Sequence, residues 1–188
     1  MIVIVIPAKG HSNRLPNKNM VDINGRPMLD YAIDQAIAST RAGMVVVSTD
    51  SDAIAAHATS RGIRVVRRPE SLGGETPLLD VYRQALTEIN NQTITMIVGL
   101  QADHPDRSIA VDDAIAAFEA AGPTCDVLGS TDASGTKNGA HYILSRQFVD
   151  AGEYREKVMI VDDCTNVHTP EDLSRAAARL RARVAVVV

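Results

Sequence analysis

The chain has 188 residues, enough for one domain with a sizeable core and short for two. Its 19 Lys and Arg against 23 Asp and Glu give a net charge of −4, which argues against a general binder of phosphate backbones. With no Trp and 3% aromatic residues, a base-stacking nucleic-acid platform is also disfavoured. Cys125 and Cys164 lie far apart without metal-type spacing and read as reduced core thiols of a cytoplasmic protein. The opening apolar run is too short for a membrane span or a signal peptide.

Strand and helix patterns alternate along the chain. Ile2 to Ile6 reads as a buried strand, followed by a loop, 7–19, that carries Lys9, Arg14 and Lys18 and no acidic residue. Asn24 to Pro27 makes a turn, after which Met28, Leu29, Ala32, Ile33, Ala36 and Ile37 recur at helical spacing. Met44 to Val47 predicts a second strand, Thr49 to Asp52 supplies caps for a short helix ending at Gly62, and Ile63 to Val66 predicts a third strand. Leu78 to Ile89 predicts a helix, Thr93 to Leu100 a fourth strand, Ser108 to Ala121 a helix and Cys125 to Leu128 a strand. Gly129 to Gly139 is polar and reads as a loop; Ala140 to Leu144 and Val158 to Val161 are weaker strands. Thr169, Pro170 and Asp172 start a final helix whose Arg175, Arg179 and Arg183 read as a solvated face, and the closing VAVVV suggests a strand.

Such alternation means a single α/β domain with a parallel-rich sheet covered on both faces. Ligands of such sheets sit beyond the C-terminal strand ends, which sets the 7–19 loop, the Ser48–Asp52 turn, the 67–76 loop and the 101–107 loop on one rim. Neither G-x-G-x-x-G nor G-x-x-x-x-G-K-[ST] occurs, so a dinucleotide oxidoreductase and a P-loop NTPase are disfavoured. What remains is a looser cationic loop. Gly10 allows close backbone approach, Ser12 and Asn13 can build a nest, Arg14 offers a planar fork and Lys18 a point charge; the plain alternative is a solvated loop. Among Arg61, Arg64, Arg67 and Arg68, most read as solvent-facing, with Arg68 beside Pro69 the exception. Asp103, in LQADHPDR, either holds a divalent cation or opens a turn before Pro105.

IPAKGHSNRLPNKN followed by INGRPML resembles the first signature of the cytidylyltransferases that activate sugar acids, the acylneuraminate and CMP-KDO synthetases. VVVSTDSDAIAAHATSRGIRVVRRP is similar to their second block, LQADHPDR to the V-Q-G-D-E-P of the CMP-KDO branch, and TNVHTPEDL to the closing D-T-P-E-D-L. The likeness covers residues 1 to about 115, and 160 to 178 again. It implies a Rossmann-like three-layer α/β/α sandwich of the nucleotide-diphospho-sugar transferase type. It also implies transfer of CMP from CTP to a sialic-acid-like or KDO-like sugar acid with release of pyrophosphate.

By this resemblance Pro7, Ala8, Lys9, Gly10, Ser12, Asn13, Arg14 and Lys18 form the nucleotide loop, and Lys9, Arg14, Lys18 and Asp103 carry the chemistry. Arg68 and Thr76 would read the base; Asn19, Gln101 and His141 would face the sugar acid. Asp103 and His168 would hold magnesium, or manganese. A cytoplasmic homodimer without nucleic-acid or membrane partners is expected. Two departures stand out. His168 occupies the place of the family's metal-binding Asp, with Asn166 two residues before it, and Lys9 replaces the more usual Arg. Asp162 and Asp163 are possible substitutes for the missing acid or turn residues. The alternatives are a relative using another nucleotide and a non-catalytic nucleotide- or sugar-binding domain.

Overall fold

The computed structural model of the chain describes residues 1–12, 14–73 and 76–186. Strand β1 (Ile2–Pro7) lies mid-sheet, between β4 (Met44–Thr49) and β6 (Met96–Gly99), and is parallel to both. A strand covered on both faces has no solvent side to pattern, which is why β1 is apolar throughout rather than alternating. The full order is β5-β4-β1-β6-β8-β7-β9, with β5 at Arg64–Arg67, β7 at Cys125–Thr131, β8 at Tyr142–Ser145 and β9 at Glu156–Val161. Only β8 runs antiparallel to its neighbours in this sheet. A separate hairpin joins β2 (Asp22–Ile23) to β3 (Arg26–Pro27).

Helices cover both faces, so the three-layer sandwich expected from the sequence is what forms. Ile4 and Ile6 of β1 pack with α1 (Met28–Ile37), α2 (Asp52–Ser60) and α4 (Val111–Ala120). Val3 and Val5 pack the other way, with α3 (Leu78–Ile89) and α5 (Arg146–Ala151). No side chain caps α1 at Pro27. Its place is set instead by burial of Leu29, Ala32, Ile33 and Ala36, where each large residue contributes about 1.5–3 kcal/mol. The last helix, α6 (Pro170–Val186), packs Ala176 against Ile23 of the hairpin.

Three local expectations change. β7 continues to Thr131 through residues read as loop, because Gly129 to Thr131 pair with Met159 to Val161 of β9 and the Ser130 hydroxyl donates to Asn138 Oδ1 at 2.7 Å. Residues 184–186 belong to α6 and not to a strand, and Val187 and Val188 lie outside the described residues. Helix elongation adds one backbone hydrogen bond per residue, which outweighs the few tenths of a kcal/mol by which Val disfavours a helix. The row Arg175, Arg179, Arg183 is not simply solvated. Arg179 Nε reaches the buried Asp106 carboxylate at 2.8 Å, and Arg183 donates to the carbonyls of Asp106 and Arg107, both at 2.6 Å.

Candidate active site

The chain reverses direction across the sheet between β1 and β6, and a cleft of about 310 Å³ opens there, beyond the C-terminal strand ends. Ligand crevices of open α/β sheets lie at such switch points. β1 leads directly into it: Ala8 N donates to Ser48 O at 2.9 Å, prolonging the β1–β4 pairing, and Pro7 and Lys9 line the cleft. Gly10 then turns the loop away. Its N–H donates to Asp50 Oδ1 at 2.7 Å, and a Cβ at this position would stand 2.7 Å from Ser51 Cβ, a separation that requires glycine. Leu15 N donates to Ser12 Oγ at 3.4 Å. A short 3-10 helix, Lys18–Met20, entered through Asn17 in the left-handed region (φ 53°), brings Lys18 and Asn19 back inside. Asn19 Nδ2 donates to Lys9 O at 2.8 Å and ties the two ends of the loop together.

The opposite wall comes from β6. Gln101, Ala102 and Asp103 follow it, and Lys18 Nζ lies 2.6 Å from Asp103 Oδ2 with both side chains largely buried. His104 Nδ1 stands 2.9 Å from Asp103 Oδ1, within ion-pair reach but without a regular hydrogen bond. Burial pushes the Asp103 carboxyl up; the His104 ring and the Lys18 ammonium outweigh it and hold the group below the usual carboxylate range. The third wall carries Arg68, Thr76 and, from α3, Leu78 and Val81. Arg68 is buried: one Nη donates to Ser48 O at 2.8 Å, while Nε has no partner among the described residues. Burial lowers its affinity for a proton, and Asp50 partly restores it. Its neighbours are spent elsewhere, Arg61 on Asp30 and Asp34 and Arg67 on Asp52. Thr76 Oγ1 donates to Gly73 O at 2.8 Å.

His168 closes the cleft from the segment before α6. Thr169 and Asp172 form a reciprocal cap, the Thr169 N–H donating to Asp172 Oδ2 at 3.0 Å and the Asp172 N–H to Thr169 Oγ1 at 3.2 Å. Val167 N donates to Asp103 O at 2.9 Å, which sets His168 against the β6 wall. Burial, Lys18 and Arg14 all lower the His168 pKa, so its imidazole favours the neutral form. A largely buried carboxylate at the cleft wall suits a divalent cation whose remaining ligands come from phosphate oxygens, and a neutral imidazole beside it is a borderline donor. No cluster of three or more His, Cys, Asp or Glu side chains among the described residues forms a metal site by itself.

Of the residues singled out in the sequence, Pro7, Lys9, Lys18, Asn19, Arg68, Thr76, Gln101, Asp103 and His168 meet in this cleft. Gly10, Ser12 and the exposed Arg14 sit on its loop, the Ala8 side chain is buried in the core, and Asn13 lies outside the described residues. His141 does not come to the cleft. It is fully buried with Nε2 2.9 Å from Asp162 Oδ2, facing α4, because successive residues of an extended chain point to opposite faces. Asp162 is spent there too, accepting from Ser108 Oγ at 2.7 Å and Ser108 N at 3.0 Å, so it does not replace the acid missing at 168.

Arg107 escaped the sequence reading. Its buried guanidinium donates to the carbonyls of Ala140 and His104 at 2.7 Å each, and to that of Gln101, clamping the turn that carries Asp103. Burial lowers its pKa to about 10. The DHPDR string, an Arg following two acids around a proline, was the available signal.

A doubly wound sheet with buried cations and a carboxylate at its switch point defines an α/β nucleotide-binding protein. The Cytidylyltransferase family profile matches residues 3–180, and the chain belongs to that family. A 3-deoxy-manno-octulosonate cytidylyltransferase of Chlorobium chlorochromatii is 38% identical over 104 residues, 55% of this chain and 39% of that protein. The matched segments span less than half the length of such curated relatives. A solved CMP:2-keto-3-deoxy-manno-octonic acid synthetase complexed with CTP superposes with a TM-score of 0.78 at 17% identity, covering 97% of this chain and 99% of that one. The Rv0371C protein of Mycobacterium tuberculosis in complex with manganese gives 0.68 at 17% identity, over 94% and 98%. At these identities the two structures establish the shared fold.

Proposed function

We propose that this chain transfers CMP from CTP to a sugar acid and releases pyrophosphate. The observation that carries the reading is the pairing of Lys18 with Asp103 at the switch point, inside the cleft that Lys9 and Arg68 also line. An acceptor oxygen attacks the α-phosphorus in line, a new P–O bond forms, and the bond to the pyrophosphate oxygen breaks. Such a transfer asks for positioning and charge neutralisation more than covalent chemistry. Lys9 and Lys18 approach the phosphates from the β1 side, Arg14 covers them from the loop, and Arg68, Leu78 and Val81 enclose the base. Magnesium or manganese, held by Asp103 with His168 beside it, would neutralise phosphate charge. Family membership supports the nucleotide; the KDO-type names of the curated relatives support the acid.

The test is pyrophosphate release with CTP, UTP, GTP and ATP against a panel of sugar acids, with magnesium and then manganese. Turnover confined to CTP with one acid is expected. Turnover with another nucleotide alone would overturn the cytidylyl assignment, and CTP binding without turnover would favour a binding domain, the reading that His168 keeps open. A cytoplasmic homodimer without nucleic-acid or membrane partners is part of the proposal. The exposed Met159 and Val161 on edge strand β9 offer a face for it, and sedimentation tests it. Among the described residues no helix is long and apolar enough to cross a membrane.

A further inference from the structure

His104 is fully buried one residue past Asp103, and no step of the proposed transfer uses it. Two contacts fix where its ring points. Arg107 donates to the His104 carbonyl at 2.7 Å, which holds the backbone of the turn. The ring Nε2 lies 2.7 Å from Asn138 O, and since a carbonyl only accepts, Nε2 is the donor. Nδ1 is left facing Asp103 Oδ1 at 2.9 Å. The carbonyl that holds the ring is itself held. Asn138 N donates to Ser130 O at 3.2 Å and Asn138 Nδ2 to Asp162 O at 2.7 Å, while Asn138 Oδ1 accepts from Ser130 Oγ at 2.7 Å and Ala140 N at 3.2 Å. Asn166, two residues before His168, donates to the same Asn138 carbonyl at 3.3 Å. The imidazole therefore ties the Asp103 wall to the segment that delivers His168.

Asp103 is approached at both oxygens, by Lys18 at Oδ2 and by His104 at Oδ1. The two neighbours differ in tenure. Lys18 carries its charge on a flexible four-carbon stem, and incoming phosphate oxygens compete for it. The His104 ring cannot follow a ligand, because Asn138 and Arg107 hold it in place. Once Lys18 turns to phosphate, His104 is the neighbour that still fixes the carboxylate. Burial pushes the Asp103 carboxyl up, and of the two groups that bring it back down the His104 ring stands ahead of the Lys18 ammonium. An ionised carboxylate accepts at about four lone-pair positions, so these contacts leave places for a cation. The V-Q-G-D-E-P string carries Glu where LQADHPDR carries His104, so the ring is a feature of this chain and not of the motif.

We propose that His104 is a positioning residue for the cation-holding carboxylate: clamped through Nε2 to Asn138 O, it fixes the Asp103 side chain through Nδ1 and keeps it aimed when Lys18 moves to phosphate. This rests on the cytidylyl reading, with Asp103 as the cation ligand. Two variants separate the arms of the ring. His104→Gln keeps a nitrogen near the place of Nε2 and leaves none beside Asp103. His104→Asn keeps a nitrogen near the place of Nδ1 and gives up the Asn138 carbonyl. The readouts are manganese titration with CTP present, kcat and KM for CTP at saturating manganese, and melting temperature. His104→Gln should weaken manganese binding about ten- to hundredfold and lower kcat, with the KM for CTP and the melting temperature unchanged. His104→Asn should restore manganese binding to near the wild-type value while lowering the melting temperature. Wild-type manganese binding in His104→Gln would overturn the role, and equal losses in both variants would mark a merely structural residue and overturn it too. If His104→Gln does not fold, weakened manganese binding in His104→Asn is the overturning result. A wild-type chain that neither binds manganese with CTP nor turns over any pair would instead overturn the parent reading.

Discussion

Two polar assemblies lie on opposite sides of the sheet, and they differ in completeness. On the α4 side, His141 Nε2, Asp162 and Ser108 bond one another while Arg107 and Asp106 bond the surrounding groups, and of these side chains only His141 Nδ1 is buried without a hydrogen-bond partner among the described residues. On the α3 side, Arg68 Nε is buried without a hydrogen-bond partner among the described residues, and Asp103 Oδ1 makes no regular hydrogen bond although His104 Nδ1 stands 2.9 Å away. An unpaired buried polar atom costs about 1–3 kcal/mol, more when charged, so its persistence points to a ligand that completes it. The first assembly is closed to the cleft; the second lines it, where a ligand can reach its open atoms.

The comparison breaks most sharply at Asp103. Asp103→Asn should lower turnover by roughly a thousandfold and weaken manganese binding, read by titration with CTP present. Near-normal rates would move the cation elsewhere. Arg14→Ala should cost about a hundredfold in kcat while leaving the melting temperature alone, since this exposed side chain supports no core. On the α4 side the effects should fall on stability instead. Asp162→Asn should cost about 2 kcal/mol, a melting shift of about 4–8 °C, because it strips a buried acceptor from His141 and Ser108. The smallest expected effect is a pH slope. Burial holds the His141 pKa below its ordinary 6.5, so the unfolded chain takes up the proton first. Its contribution is therefore present above about pH 6.5 and lost as pH falls through the folded value. Melting temperature should drop between pH 7 and 5, and His141→Gln should flatten that slope.

The sequence exposed one of these assemblies far better than the other. The strands and helices through α4 follow from apolar runs and 3.6 periodicity, and Lys18, Arg68 and Asp103 stand at strand ends where the sheet rule places ligands. The α4-side assembly is hidden in the sequence because its partners come from distant segments. Nothing local about Arg179 reveals that Asp106 is its partner, so an Arg row at helical spacing reads as solvated. The motif points His141 at the acceptor because it fixes position along the chain but not the face of the strand, and one residue decides that. Residues 129–131 read as loop for a related reason. Gly129 and Ser130 carry turn propensity, which tertiary pairing with β9 overrides.

The hydrogen bond from Val167 N to Asp103 O has a consequence for the order in which the molecule is made. About 65 residues separate the two halves of that wall. At about 5–20 residues per second, a ribosome needs roughly 3–13 s to deliver His168 after Asp103. For that interval the nascent chain carries its cationic loop and its carboxylate with the cleft open on one side. Nucleotide affinity should therefore arise late in synthesis, when the segment leading into α6 docks.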